Sequence, residues 1–238
     1  METQIHFEIL RQPDDTTCGP TCLHSIYSYY NDTISLAQVI EEVPALEGGG
    51  TLAVVLGCHA LQRGYDATLY TFDMQVFDPT WFCLSAEEMA EKLILQLEVK
   101  HTPKMETVTR AYLEFLRLKG KILLEDLSTE LLRRILKQHK PIISGLSSTY
   151  LYRSARELDL GSRLIYDDIN GEPTGHFVVL SGYDINTRKA MIADPWHPNP
   201  MSDNQYYEVR FNRLIPAIML STISFDANML VITPRKKK

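Results

Sequence analysis

The chain has 238 residues, 45% of them hydrophobic and 23% charged, with a formal net charge of −6. That length suits one globular domain over residues 1–238, and the acidic balance excludes the basic face of a nucleic-acid binder. No run reaches the roughly 18 apolar residues of a membrane span, so no membrane insertion is expected, and the amino terminus shows no secretory signal.

The first element is a strand or extended arm over 4–10, followed by a turn over 13–17. A helix is expected over 18–30, with Cys22, Leu23, Ile26, Tyr27 and Tyr30 on one apolar face. Pro20 is tolerated in its first turn. A short helix over 34–43 and a loop at 47–50 follow. Thr51 is placed to cap a helix that Gly64 ends. Residues 66–72 read as a strand. Residues 85–119 read as an inserted helical segment broken near Pro103, opened by a Ser85/Glu88 capping box. Ser128 caps a further helix. Past Pro141 the apolar period shortens. Strands are expected over 141–146, 176–183, 189–193, 206–211 and 229–232, and 147–175 is a long polar loop insertion. The helical amino-terminal part should therefore pack against a carboxy-terminal antiparallel sheet, an α+β fold.

The chemistry concentrates in three stretches: Gln12 to Leu23, Gly175-His176-Phe177-Val178-Val179, and Asp194-Pro195-Trp196. Cys18 opens the first long helix, where unpaired amide groups and the macrodipole favour a thiolate. A distant histidine and a distant carboxylate complete a thiol nucleophile, its base and its orienter. If the hairpin between the two late strands is centred at Ile185, His176 and Asp194 face each other directly, but a one-residue slip would separate them. Gln12, six residues before Cys18, can donate to a developing oxyanion together with the Cys18 N–H. Trp196 can cover the His–Asp pair or contact substrate. Tyr150, Tyr152, Arg153, Arg156, Arg163 and Tyr166 in the polar loop are candidate contacts for an acidic or carboxy-terminal substrate group. Cys22, Cys58 and Cys83 sit in apolar patterns and read as buried and inert. Four cysteines are too few for a disulfide-stapled secreted domain, so a reducing cytoplasmic setting is expected. Cys18 and Cys22 have the wrong spacing for a redox pair, no zinc spacing is present, and Gly48-Gly49-Gly50-Thr51 lacks the lysine of a phosphate loop. No metal or cofactor is called for.

These three stretches resemble the C39 peptidase and C39-like family of the papain-like cysteine peptidase superfamily, a bacterial-type group. Gly50-Thr51, Gly64-Tyr65 and Lys140-Pro141-Ile142-Ile143 add looser similarity. The resemblance implies a papain-like fold, with Cys18 as nucleophile, His176 as base and acid, Asp194 as orienter and Gln12 as oxyanion donor. It implies a peptide or amide substrate. Known members of the group mature peptides after a double-glycine leader while fused to an ATP-driven exporter; no nucleotide-binding motif is seen in this chain. An acyl or peptidyl transferase using the same triad, or a catalytically silent peptide-binding module, are the alternatives. Oligomeric state is left open.

Overall fold

The computed structural model of the protein describes residues 2–46, 49–161, 164–224 and 226–235. Glu47, Gly48, Arg163 and the last three lysines, singled out or bordering segments singled out above, lie outside the described residues.

The helices are α1 (Cys18–Tyr29), α2 (Leu36–Glu42), α3 (Ala53–Gln62), α4 (Ala86–Val99), α5 (Pro103–Arg117), α6 (Thr129–Leu136), α7 (Ser148–Tyr152) and α8 (Phe211–Met219). The strands are β1 (Glu2–Gln4), β2 (Tyr65–Thr71), β3 (Lys121–Leu123), β4 (Ile142–Ser147), β5 (Glu157–Asp159), β6 (Leu164–Tyr166), β7 (Gly175–Asp184), β8 (Lys189–Ala193), β9 (Tyr206–Arg210) and β10 (Asn228–Pro234). Among the described residues one sheet runs in the order β3-β2-β10-β4-β7-β8-β9, and β5 pairs with β6 in a separate hairpin. β1 takes the stretch of β7 that β4 leaves free beyond Leu180. The fold is α+β and papain-like. The sheet is antiparallel apart from β2 and β3, which run parallel. The segregation expected from sequence is incomplete, because the early strand β2 pairs with the last strand β10.

Local chemistry explains most helix starts. Ser85 Oγ accepts from the Glu88 N–H while Glu88 Oε2 accepts from the Ser85 N–H, so the capping box forms. The Thr102 and Ser128 hydroxyls cap α5 and α6 by accepting from the Met105 and Leu131 N–H, without the reciprocal bond. α3 is different. Its N-cap is Leu52, not Thr51, and Thr51 donates to the Pro44 carbonyl instead. The Ala53 N–H is received by the carboxylate of Asp226, from the far end of the chain. α5 docks through Phe115, a fully buried ring set against Gly57 of α3; a Cβ there would stand 2.6 Å from the ring. That docking carries the first turns of α5 to the mouth of the cleft described below. The arm expected over 4–10 is a strand only at Glu2–Gln4. Its last sheet bond is from the Ile5 N–H to Ser181, after which the Ile9 N–H turns to the Tyr206 hydroxyl. α8 follows β9 directly, where only a strand was expected.

The β7–β8 hairpin fixes the site. Asp184 pairs with Lys189, with the carboxylate of Asp184 holding the four-residue turn through Asn186 and Thr187. A β-bulge between Leu180 and Gly182 shifts the register, so that Val179 pairs with Ala193. Asp194 thus continues opposite Val178, two residues from His176 and on the same face. Direct opposition of His176 and Asp194, expected from a hairpin centred at Ile185, is corrected by two positions. Had the Gly182–Met191 phase continued, Asp194 would lie opposite Val179 and point away from His176.

Candidate active site

Cys18 is the first residue of α1 and is 9% exposed. Before it, Asp14 receives the N–H and hydroxyl of Thr16 at 2.8 Å each, which closes the turn leading into the helix. His176 arrives on β7, beside Leu146 of β4. The Cys18 side chain stands close enough for its charge to act on the ring. The ring Nε2 donates to Asp194 Oδ1 at 2.8 Å. Burial opposes a charged ring here, but the charges of Asp194 and of a Cys18 thiolate, with the Asp194 hydrogen bond, outweigh it. The His176 pKa is raised to about 10.

Asp194 is fully buried and receives four hydrogen bonds. Besides His176, the Trp196 N–H donates to Oδ1 at 2.9 Å, and the hydroxyls of Tyr152 and Tyr207 each donate to Oδ2 at 2.6 Å. Burial pushes its carboxyl up, and these partners, led by the His176 charge, bring it below the ordinary value. The Trp196 ring packs edge-on to His176 with centroids 6.2 Å apart. Its place is a cover on the His–Asp pair. Tyr152, expected as a substrate contact, is buried and its hydroxyl is spent on Asp194. Tyr207 was not foreseen. Its inward direction depends on β9 pairing with β8, where Tyr207 stands opposite Ile192.

Cys18, His176 and Phe177 line a cavity of about 1100 Å3. Its other walls come from the first turns of α5, with Lys104, Glu106 and Arg110, from Asp159 and Leu164 of the β5–β6 hairpin, and from Gly145 and Asp226. Among the described residues no cluster of His, Cys, Asp or Glu could hold a metal ion. No helix among them is long and apolar enough to cross a membrane.

Residues 4–215 match the Peptidase_C39 like family. The chain belongs to this family. It is a cysteine-type peptidase hydrolase. A crystal structure of a C39-like peptidase from Bacillus anthracis is similar at 15% identity over 100% of both chains, with a TM-score of 0.54, which supports the fold. A double glycine motif protease from an AMS/PCAT transporter, in complex with its leader peptide, matches at 15% identity over 99% of both chains, with a TM-score of 0.47. Xylellain, a cysteine protease from Xylella fastidiosa, matches at 13% identity over 99% of this chain and 86% of that one, with a TM-score of 0.48. No curated protein matches the chain significantly.

The remaining residues of this C39-like chain divide clearly. Gln12 is buried, its N–H donates to the Pro195 carbonyl, and its Nε2 donates to the Asp14 carbonyl at 2.7 Å. It thus ties the loop before Cys18 to the Asp194 segment, but it is not among the described residues lining the cavity. Tyr150 and Arg153 do not line it either. Arg156 is turned to the carbonyls of Asp168 and Ile169. Cys22 is buried and gives its thiol to the Phe177 carbonyl at 3.4 Å. Cys83, expected to be buried, is exposed at the end of a short 3-10 turn, with its thiol on the Thr80 carbonyl. The α5 wall and Asp226 escaped the sequence reading. The one signal for Asp226 is an acid standing just before the apolar run at 229–232.

Proposed function

We propose that this family member cleaves a peptide amide bond through an acyl-enzyme on Cys18. The reading rests on His176, hydrogen bonded to Asp194 and within the reach of the Cys18 charge, with Cys18 and His176 at the wall of a peptide-sized cleft. The Cys18 thiolate attacks the carbonyl carbon, and the displaced electron pair moves to the carbonyl oxygen. The Cys18 N–H and the second N–H of the Gln12 amide are the donors assigned to that oxygen, a kind of interaction typically worth about 2.7–4 kcal/mol. As the C–N bond breaks, the imidazolium of His176 gives its proton to the leaving amine. Water, deprotonated by His176, then attacks the thioester and restores the thiolate. Asp194 keeps the ring oriented with Nε2–H toward itself, so that the other ring nitrogen serves the sulfur. The α5 and β5–β6 additions shape the substrate cleft of a single domain. A reducing compartment such as the cytoplasm suits the chemistry, and all four cysteines are free.

The test is intact-mass analysis after incubation with an electrophilic peptide library, followed by hydrolysis assays on the peptides selected. One adduct on Cys18 is expected, with no adduct and no turnover in Cys18→Ala and almost none in His176→Ala. Gln12→Ala should lower kcat by about 10²–10³. Parent-like hydrolysis by Cys18→Ala would refute the mechanism.

A further inference from the structure

A second buried carboxylate stands in the wall of the same cleft. Asp226 is 5% exposed and lines the cavity that holds Cys18 and His176. It is reached through a short series of contacts. Gly19, next to Cys18, touches Phe177, the neighbour of His176. Phe177 pairs with Gly145 of β4. Gly145 in turn lies against Asp226: a Cβ there would stand 2.4 Å from the Asp226 carbonyl oxygen and 3.3 Å from Oδ2. Only a glycine permits that approach. Strands are spaced about 4.8 Å apart, so Asp226 lies on the order of 10 Å from the β7 position beside the imidazole. That is within one or two substrate residues of the scissile bond.

The surroundings of Asp226 are incomplete for a charge. Oδ1 receives the Asn228 amide at 2.7 Å, and both oxygens share the Ala53 N–H at 3.2 Å. Oδ2 therefore keeps acceptor capacity. Among the described residues the groups acting on its charge are Asn228, Ala53 and Asp73, and none is a cation. Arg110, a basic side chain on the cleft wall, pairs with Glu106. Burial therefore dominates and pushes the Asp226 carboxyl up to about 7. A buried charge without a partner is costly, and a cation delivered into such a site removes much of that cost.

We propose that Asp226 is the base of a specificity pocket that receives a cationic group of the peptide substrate, an ammonium or guanidinium, one or two residues from the bond cleaved. This rests on the peptidase reading above and adds the substrate class to it. The cation becomes the opposite charge that the described groups acting on the carboxylate do not include, and the α3 amino terminus and Asn228 hold the carboxylate in place for it.

The test uses the full chain and pairs of N-acetylated peptidyl acyloxymethyl ketones that differ only by lysine against isosteric norleucine, scanned over four positions. A second set carries norleucine throughout and a free amino terminus at increasing distance from the warhead. Labelling rates of Cys18 are read as the ratio between members of each pair, so each protein serves as its own control. The parent should favour lysine by about tenfold or more at one position, a ratio that collapses toward one in Asp226→Asn and returns in Asp226→Glu. A preference confined to the free-amine set assigns the pocket to the substrate's amino terminus rather than a side chain, and the same loss in Asp226→Asn is required there. Norleucine probes that label Cys18 with no cationic preference in the parent overturn this inference alone, whether or not the variants fold. A preference that survives Asp226→Asn overturns it too. If no peptide probe labels Cys18, the peptidase reading falls and takes this one with it.

Discussion

Asp194 and Asp226 are both buried, both face the working cleft through their neighbours, and titrate in opposite directions. Burial pushes each carboxyl up. Asp194 then meets the His176 charge, two tyrosine hydroxyls and a backbone N–H, and its pKa ends below the ordinary value. Asp226 meets an amide, one shared N–H and the like charge of Asp73, and stays high. Depth in the protein is nearly the same; the partners decide. The first carboxylate stays charged at neutral pH and can orient the His176 ring. The second is held near its midpoint at neutral pH, ready for a cation.

The strongest way to break this contrast is Asp194→Asn. It should lower kcat/KM by about 10³–10⁴, as expected when the ring loses its orienter. It should also move the alkaline limb of the pH profile below about 10, because the imidazolium loses its largest stabilising charge. An unmoved limb would mean that Asp194 does not support the charged ring. The next effect is on stability. A carboxyl whose folded pKa exceeds its unfolded one stabilises fully at low pH and loses that contribution as pH rises through the folded value, here about 7. Relative to the parent, Asp226→Asn should therefore gain stability between about pH 4 and about pH 8, by on the order of 1–4 kcal/mol in urea unfolding. For Asp194 the sign reverses. Its depressed pKa stabilises above the ordinary carboxylate range and the contribution is lost as pH falls through the folded value, so Asp194→Asn should cost most at neutral pH. The smallest effect belongs to Tyr207→Phe. Removing one donor from Asp194 Oδ2 should destabilise by about 1–3 kcal/mol and bring acid unfolding to higher pH. A Tyr207→Phe protein with the parent's unfolding curve would show that the second tyrosine bond is dispensable.

The catalytic candidates were legible because their signals are local. A cysteine after a polar turn and before a helical apolar face marks a helix start, and the row Ser85, Thr102, Ser128 follows the same short-range logic. His176 and Asp194 stood out because two short apolar strands separated by a turn must pair. Their register was misjudged, since the four-residue turn and the bulge at Leu180/Gly182 depend on how β7 sits between β4, β1 and β8. Tyr152 was assigned to the wrong partner because its loop offered no hint that α7 would carry it under Trp196.

Amino-acid order alone determined that a thiol would begin the first long helix, that an imidazole and an acid would come from neighbouring late strands, and that helices would cover a sheet. Tertiary structure alone decided that a bulge brings Asp194 to the face of His176, that Asp226 caps α3 from 173 residues away, and that α5 walls the cleft. Helix starts and strand alternation are set by interactions across a few residues. Register, remote caps and buried partners are set by chain segments that meet only when the core closes, where one residue of slip reverses a side chain's direction.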